Sequence, residues 1–413
     1  MPKKDKLPPY VIHPSTALIS KGFDPSLSVG SARPAVFRSS TYVFSSPEKA
    51  KEAFEVALGK REPSPDTELI YARLSHPNAE ILETHLTALE PEAKASAVFN
   101  SGMAAISTIF FTFCKPQRNF IYTNPIYGGT HHLISELLTP MQYTGHPVMA
   151  GQTEKLQDVI YKTKNLDLIF IETPSNPTLT ITDIEAAVEA AQSHPDKPLV
   201  VVDNTFMGPT FQHPLEFGAD LVVYSATKFL GGFSDLLGGV IIGRSQKHIQ
   251  QLQGTRAIMG NILQPDECWI LDTRLPMVEI RMRSESQNTK LIVEQIKKHP
   301  NIIELYHPSL IKDEKQKKIY QKQCNGSGSI FSMRLQGGQK GAFEFLRNLR
   351  IIKNAVSLGG MESLCCHPAT TTHSEISPER LFELGITDDL VRLSIGIEDH
   401  RDLLQDIEQA LDY

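Results

Sequence analysis

The chain has 413 residues, enough for more than one domain and a large buried core. Its 41 Lys and Arg against 47 Asp and Glu leave a formal charge of −6, which gives no reason to expect a nucleic-acid partner. With 40% hydrophobic and 21% charged residues it reads as an ordinary globular protein, and no apolar run approaches the roughly 20 residues of a membrane helix, so no membrane partner is expected.

Residues 1–65 are rich in Pro, Ser and Lys and poor in periodicity. Lys3, Lys4 and Lys6 read as a solvated tail, and the N-terminus lacks the apolar stretch of a signal peptide. The five cysteines are odd in number and form no CxxC pair, which predicts a reducing, cytoplasmic setting without a disulfide framework. Residues 61–67 read as a loop. From about 96 to 245, short apolar runs alternate with helical stretches. The runs predict strands at 97–99, 120–122, 166–171, 199–202, 221–224 and 239–242. Helices are predicted at 102–112, 128–138, 153–163, 182–193 and 246–252. Near-continuous, β-branched strands of this kind belong to parallel α/β sheets buried on both faces. Residues 255–285 read as a helical crossing punctuated by Pro265 and Pro276. Beyond it lies a smaller α+β pattern: a helix at 285–298, the segment 301–306, a Gly-Ser-Gly turn at 326–328 and a strand at 329–335. It continues with a helix at 341–349, strands near 351–356 and 391–395, and a final helix at 399–412. The charged stretch from Lys312 to Lys318 reads as a solvated helix face, and no internal repeat is present.

Ligands of parallel sheets bind beyond the carboxyl ends of the strands. There, Leu221-Val-Val-Tyr-Ser225-Ala-Thr227-Lys228 ends an apolar run on an amine flanked by hydroxyls and followed by Gly231-Gly232. The preceding run, from Leu199, ends on Asp203. An amine and a carboxylate on two strand ends are what pyridoxal phosphate requires: a Schiff-base lysine and an acid partner for the pyridine nitrogen. Each residue also has a plainer reading. Lys228 could be a surface lysine and Asp203 a helix N-cap. Ser101-Gly102-Met103 opens a helix whose bare amides could cradle a phosphate, or is simple capping; neither Walker nor GxGxxG spacing is present. Tyr127, before Gly128-Gly129, could stack on a cofactor ring and move a proton, or only pack. Asn176 could make a turn or donate to a ring oxygen. Arg392, inside the apolar run Val-Arg-Leu-Ser-Ile-Gly, needs an anion, either a protein carboxylate or a substrate α-carboxylate. His131, His132, His367 and His373 lack acidic partners at ligand spacing, so no metal is expected.

Taken together, the motifs resemble the cystathionine γ-synthase/cystathionine β-lyase/methionine γ-lyase group, the Cys/Met-metabolism pyridoxal-phosphate enzymes. The resemblance runs from about residue 15 to the C-terminus. It is carried by Tyr71-Ala-Arg73, Ser101-Gly102-Met103-Ala-Ala, Tyr127-Gly-Gly-Thr, Glu172-Thr-Pro-Ser-Asn176-Pro, Asp203-Asn-Thr-Phe, Ser225-Ala-Thr227-Lys228, Ser357-Leu-Gly-Gly-Met-Glu-Ser-Leu, His367-Pro-Ala-Thr-Thr-Thr-His and Arg392-Leu-Ser-Ile-Gly-Ile-Glu. It implies fold type I, like aspartate aminotransferase: a mostly parallel seven-stranded sheet flanked by helices, plus a smaller C-terminal α+β domain. The division expected is an N-terminal inter-subunit arm at 1–70, a cofactor-binding domain at 71–270 and a small domain at 271–413. Lys228 would hold the cofactor and shuttle the Cα proton, with Tyr127 beside it in catalysis. Cofactor contacts would come from Tyr71, Arg73, Gly102, Met103, Tyr127, Asn176, Asp203, Thr205, Ser225, Thr227 and Lys228. Ser357 and Arg392 would take the substrate carboxylate. Tyr71 and Arg73 would reach the phosphate of a neighbouring subunit in a homotetramer built as a dimer of dimers.

Three departures bear on the substrate. His76-Pro77-Asn78 stands where the family reads Asn-Pro-Thr, Phe233 where it has a histidine, and Asn124-Pro125-Ile126 where an Asp pair often precedes the tyrosine. Val356, before the carboxylate-binding serine, resembles methionine γ-lyases, and a valine cannot hold the distal amino group of cystathionine by charge. Gly129 and Arg256-Ala257 lack the cysteine and the Lys-Asp pair of those lyases. The reading is a carbon–sulfur lyase of transsulfuration and methionine biosynthesis, with cystathionine β-lyase first. Cystathionine γ-synthase and methionine or cystathionine γ-lyase are the alternatives. A catalytically idle binding protein of the same fold is disfavoured by the intact Lys228, Asp203 and Arg392.

Overall fold

Strands buried on both faces build the first sheet, within residues 13–64 and 66–412 that the computed structural model describes; the tail lysines and Pro65 of the 61–67 loop lie outside them. Its strands are β1 (Ala95–Phe99), β2 (Asn119–Asn124), β3 (Thr144–Met149), β4 (Leu166–Glu172), β5 (Leu199–Asp203), β6 (Leu221–Ser225) and β7 (Gly239–Gly243). They lie in the order β1-β7-β6-β5-β4-β2-β3, with β7 antiparallel to both neighbours and every other pairing parallel. This is the mostly parallel seven-stranded sheet the family resemblance implies; the apolar runs themselves point to six of its strands. Side chains alternate between faces, so Leu168 and Phe170 enter one core while Ile169 and Ile171 enter the other. Phe170 is fully buried and stacks on Phe110 of the helix Gly102–Phe113, with ring centroids 5.6 Å apart.

Strand β3 was not expected. It is an edge strand with Thr144 and Pro147 exposed, and an edge is where a sheet tolerates proline. The predicted helix at 128–138 is an α-helical turn, Gly128–His132, that widens into a π-helix, Leu133–Leu138. Helices Pro14–Ser20, Pro47–Ala57 and Pro77–Thr87 went unpredicted, although each carries proline in its first turn, where the missing N–H costs nothing. His76 caps the third of these, accepting from the Ala79 amide through Nδ1, while Nε2 meets the Leu263 carbonyl at 3.0 Å. The departure at His76 is thus an N-cap, buried away from solvent.

The crossing region is more helical than expected: Gln246–Met259, Pro265–Arg274 and Val278–Ile296. In the last, Val278 and Met282 join the core of Ile169 and Ile171, while Ile292, Val293 and Ile296 belong to the second sheet's own core, called here the second core. The second sheet comprises β8 (Ile302–Tyr306), β9 (Ile330–Leu335), β10 (Lys353–Asn354), β11 (Leu364–Cys366) and β12 (Leu390–Ser394), in the order β10-β11-β12-β9-β8. The three-residue β11 is too short to show in the pattern. On β12, Val391 and Leu393 face the helices of the second core. Arg392 between them takes the opposite face. Ser332, its register partner on β9, donates to the Pro177 carbonyl at 2.7 Å, so this face packs against the first sheet's loops. Among the described residues no helix is long and apolar enough to cross a membrane.

Phe170 ties the central strands to the helix whose N-terminus faces the site. Phe170→Ala should lower stability by about 3–5 kcal/mol, measured by urea unfolding against wild type.

Candidate active site

Parallel strands deliver their last residues to one edge. Phe99 of β1 and Ser225 of β6 both pair with Gly239, and Glu172 of β4 pairs with Asp203 of β5. A cavity of about 560 Å³ opens above this edge. Of the predicted site residues it is lined by Gly102, Met103, Tyr127, Asn176, Asp203, Thr205, Ser225, Thr227, Lys228, Val356, Ser357 and Arg392.

Lys228 follows a turn closed by the Gly238 amide, which donates to Thr227 Oγ1 at 3.1 Å. Its Nζ lies 2.7 Å from Ser357 Oγ. Burial, with the nearby charge of Arg392, brings its pKa down to about 8. A minor but appreciable fraction of Lys228 is therefore neutral near physiological pH, far more than for an ordinary lysine, and the neutral form is the nucleophile.

Asp203 is buried, and its Oδ1 accepts from the Thr205 amide at 3.0 Å and the Thr205 hydroxyl at 2.6 Å. Burial raises its pKa. Beside it sits Glu172, to which sequence reasoning assigned no role. Glu172 Oε2 accepts from the Tyr127 amide at 2.8 Å and Oε1 from the Asn176 amide at 2.9 Å. Burial and then the neighbouring Asp203 push the Glu172 carboxyl up to about 8. The only hint in the sequence was an acidic residue closing the apolar stretch Leu168–Ile171.

The helix Gly102–Phe113 begins at this edge, with Ser101 Oγ capping the Ala104 amide at 3.0 Å. A Cβ at Gly102 would come within 3.0 Å of Ser225 Oγ, so only a residue without one leaves the amide end beside the hydroxyls of Ser225 and Thr227. Tyr127 stands at the opening, half-exposed. A Cβ at Gly129 would lie 2.6 Å from the Tyr127 ring, so the missing atom is what lets the ring fold inward.

The second sheet supplies the rest. Arg392 is buried; Nη1 donates to Asn176 Oδ1 at 2.9 Å and Nη2 to the Ser357 carbonyl at 3.0 Å. Its Nε is buried without a partner, and among the described residues no carboxylate pairs with it. The buried guanidinium is thus held by neutral acceptors and has no carboxylate counter-ion in direct contact among the described residues. Because Asn176 Oδ1 is taken by Arg392, its amide NH2 is the group left to donate. Ser357 holds φ at 95°, a conformation uncommon for a residue with a side chain and a mark of functional strain.

Tyr71 and Arg73 are not in this cavity lining. Tyr71 is exposed, and Arg73, 5.8 Å from its ring centroid, donates to the Ala257 carbonyl. Phe233 is also outside it: the ring lies between Arg274, at 4.4 Å from its centroid, and Arg281, at 5.6 Å. The expectation that Phe233 shapes the substrate pocket is thus corrected; it forms cation–π contacts in the loop after Lys228.

These features fit pyridoxal phosphate: an amine with a lowered pKa, a buried carboxylate able to pair a pyridinium, amides and hydroxyls for a phosphate, and a half-exposed ring. The Cys/Met metabolism PLP-dependent enzyme model matches residues 15–412. An L-methionine gamma-lyase of Fusobacterium nucleatum is 36% identical over 91% of this chain and 92% of its own. A cystathionine beta-lyase of Bacillus subtilis is 36% identical over 83% of this chain and 85% of its own. The crystal structure of cystathionine gamma synthase from Xanthomonas oryzae pv. oryzae in complex with cystathionine superposes with a TM-score of 0.88 at 31% identity, covering 98% of each chain. The chain belongs to the Cys/Met metabolism PLP-dependent enzyme family, and its cofactor is pyridoxal phosphate.

With a pKa of about 8 at Lys228, the neutral fraction is about one in ten at pH 7 and nine in ten at pH 9. Covalent capture of pyridoxal phosphate by apoprotein, followed by visible absorbance, should rise about ninefold over that interval and level off. An unperturbed lysine would keep rising to about pH 10. Lys228→Ala should abolish the signal.

Proposed function

We propose that this member of the family is a carbon–sulfur lyase, and that its reaction is β-elimination of cystathionine to homocysteine, pyruvate and ammonia. The observation that supports a lyase acting on a sulfur amino acid is the pairing of two clamps around one cavity. Arg392 and Ser357 present donors for an α-carboxylate, while Lys228 Nζ, 2.7 Å from Ser357 Oγ, stands where it can take the adjacent Cα proton. Bound pyridoxal phosphate supplies the electron sink that makes this proton removable. Asp203 would keep the pyridine nitrogen protonated, and the Gly102 helix end with Ser225 and Thr227 would hold the phosphate. Met103, Ile106, Phe206, Leu237 and Val356 add apolar wall, which suits a thioether chain. Tyr127, whose amide donates to Glu172, would cover the ring and pass a proton to a departing thiolate.

A second reading, γ-elimination, is favoured by Val356, the residue of methionine γ-lyases at this position. It differs by one further proton removal, from Cβ. One methylene in an apolar pocket is worth only about 1–3 kcal/mol, so the product rather than the pocket volume decides between them.

Cystathionine, methionine and cysteine supplied singly to the holoenzyme should yield pyruvate and homocysteine from cystathionine. 2-Oxobutyrate would move the assignment to γ-elimination, and turnover only with an O-acyl-homoserine plus cysteine would move it to γ-replacement. Tyr71 and Arg73 are read as reaching a neighbouring subunit's phosphate within a tetramer. If so, Lys228→Ala and Arg73→Ala proteins, each impaired alone, should recover about a quarter of wild-type activity when co-refolded, since mixed dimers carry one intact site.

A further inference from the structure

The cavity's charged lining is concentrated at its floor, in Lys228, Arg392, Asp203 and Glu172, with one exception. Glu375 lines the same cavity from the turn that follows the short helix Pro368–Thr370, and its side chain is 60% exposed. Its Oε2 lies 2.8 Å from Nδ1 of His132, at the far end of the short helix that Tyr127 begins. The turn packs closely against that helix and is tied down by hydrogen bonds. A Cβ at Gly128 would lie 2.0 Å from the Thr372 carbonyl, so the backbones of the two sides touch where glycine permits it. Thr371 Oγ1 donates to the His367 carbonyl at 2.7 Å, and the Thr372 hydroxyl meets buried His373 Nδ1 at 2.9 Å.

We infer that Glu375 is a specificity-determining residue that binds the distal ammonium of a cystathionine-like substrate. This rests on the reading that the substrate is a sulfur amino acid gripped by Arg392. With its α-carboxylate on Arg392 and Ser357, such a substrate extends past Val356 toward the opening. Methionine ends there in a methyl group. Cystathionine ends there in a second amino-acid head, whose ammonium needs an acceptor that Val356 does not provide. Glu375 supplies one from another segment, and His132 offers a nitrogen on the same rim. Charge recognition would then come from Glu375 rather than from Val356, the residue beside Ser357.

The test compares kcat and KM of the wild-type, Glu375→Gln and Glu375→Asp holoenzymes on cystathionine, methionine and an S-alkyl cysteine. An S-alkyl cysteine carries the Cβ–S bond broken in β-elimination and methionine the Cγ–S bond broken in γ-elimination, so whichever of the two turns over serves as comparator, and both lack the distal ammonium. Loss of one charge-assisted contact should raise KM for cystathionine about tenfold in Glu375→Gln. The ratio of its kcat/KM to that of the comparators should fall equally, with partial recovery in Glu375→Asp. If cystathionine is not cleaved, its inhibition constant against a comparator replaces KM. A ratio unchanged within about twofold, or kcat lowered alike for all three, overturns the inference, since a merely structural turn would act on every substrate. 2-Oxobutyrate in place of pyruvate overturns the β-elimination reading alone, because the ratio still reports on Glu375.

Discussion

Two carboxylates buried side by side set the terms for the rest of the site. Glu172 and Asp203 are register partners on adjacent parallel strands, so the sheet itself fixes their proximity. Burying one unpaired carboxylate is costly, and burying two in contact adds repulsion. The protein divides the problem between them. Glu172 is pushed toward its neutral form and spends both oxygens on loop amides, which locks Tyr127 and Asn176 in place. Asp203 is steadied by Thr205 and turned toward the cavity, where a cationic ring nitrogen would complete it. The cofactor is in this sense part of the electrostatic balance of the fold.

Substrate recognition depends on a second constraint, the seam between the sheets. The cofactor-facing residues sit on the first sheet's carboxyl edge, while Ser357 and Arg392 come from the second. Alternation along β12 sends Val391 and Leu393 into the small core and leaves Arg392 facing the seam. Lys228 and Asn176 then hydrogen-bond to Ser357 and Arg392 across it. A shift of one sheet against the other would separate Lys228 from Ser357 and Asn176 from Arg392.

The central strands were legible because they are buried on both faces and carry no other signal. Residues 166–171 and 199–202 needed only their apolar character to be placed. Failures came where burial was partial. The edge strand containing Pro147 and the three-residue β11 have too little apolar surface to show a period. Cofactor-facing residues were legible because strand ends are where parallel sheets present ligands, so Lys228, Asp203 and Ser225 could be picked from position alone. Glu172 was quoted but given no role, since its function is to hold backbone amides that only the folded loops bring near. Glu375 and Phe233 show the limit most clearly. One sits in an unremarked polar turn and reaches the cavity; the other sits next to the catalytic lysine's glycines and does not line it.

Gly129 carries a consequence for how this scaffold can change. The Tyr127 ring occupies the place a side chain at 129 would take, 2.6 Å from where its Cβ would lie, and that ring stands half-exposed at the cavity opening. The width of that opening is therefore governed by an atom that is absent. Adding even one carbon at 129 would push the ring outward without touching Lys228, Asp203 or Arg392. Substrate range and cofactor chemistry are mechanically separable here, so a lineage could retune the one while leaving the other intact.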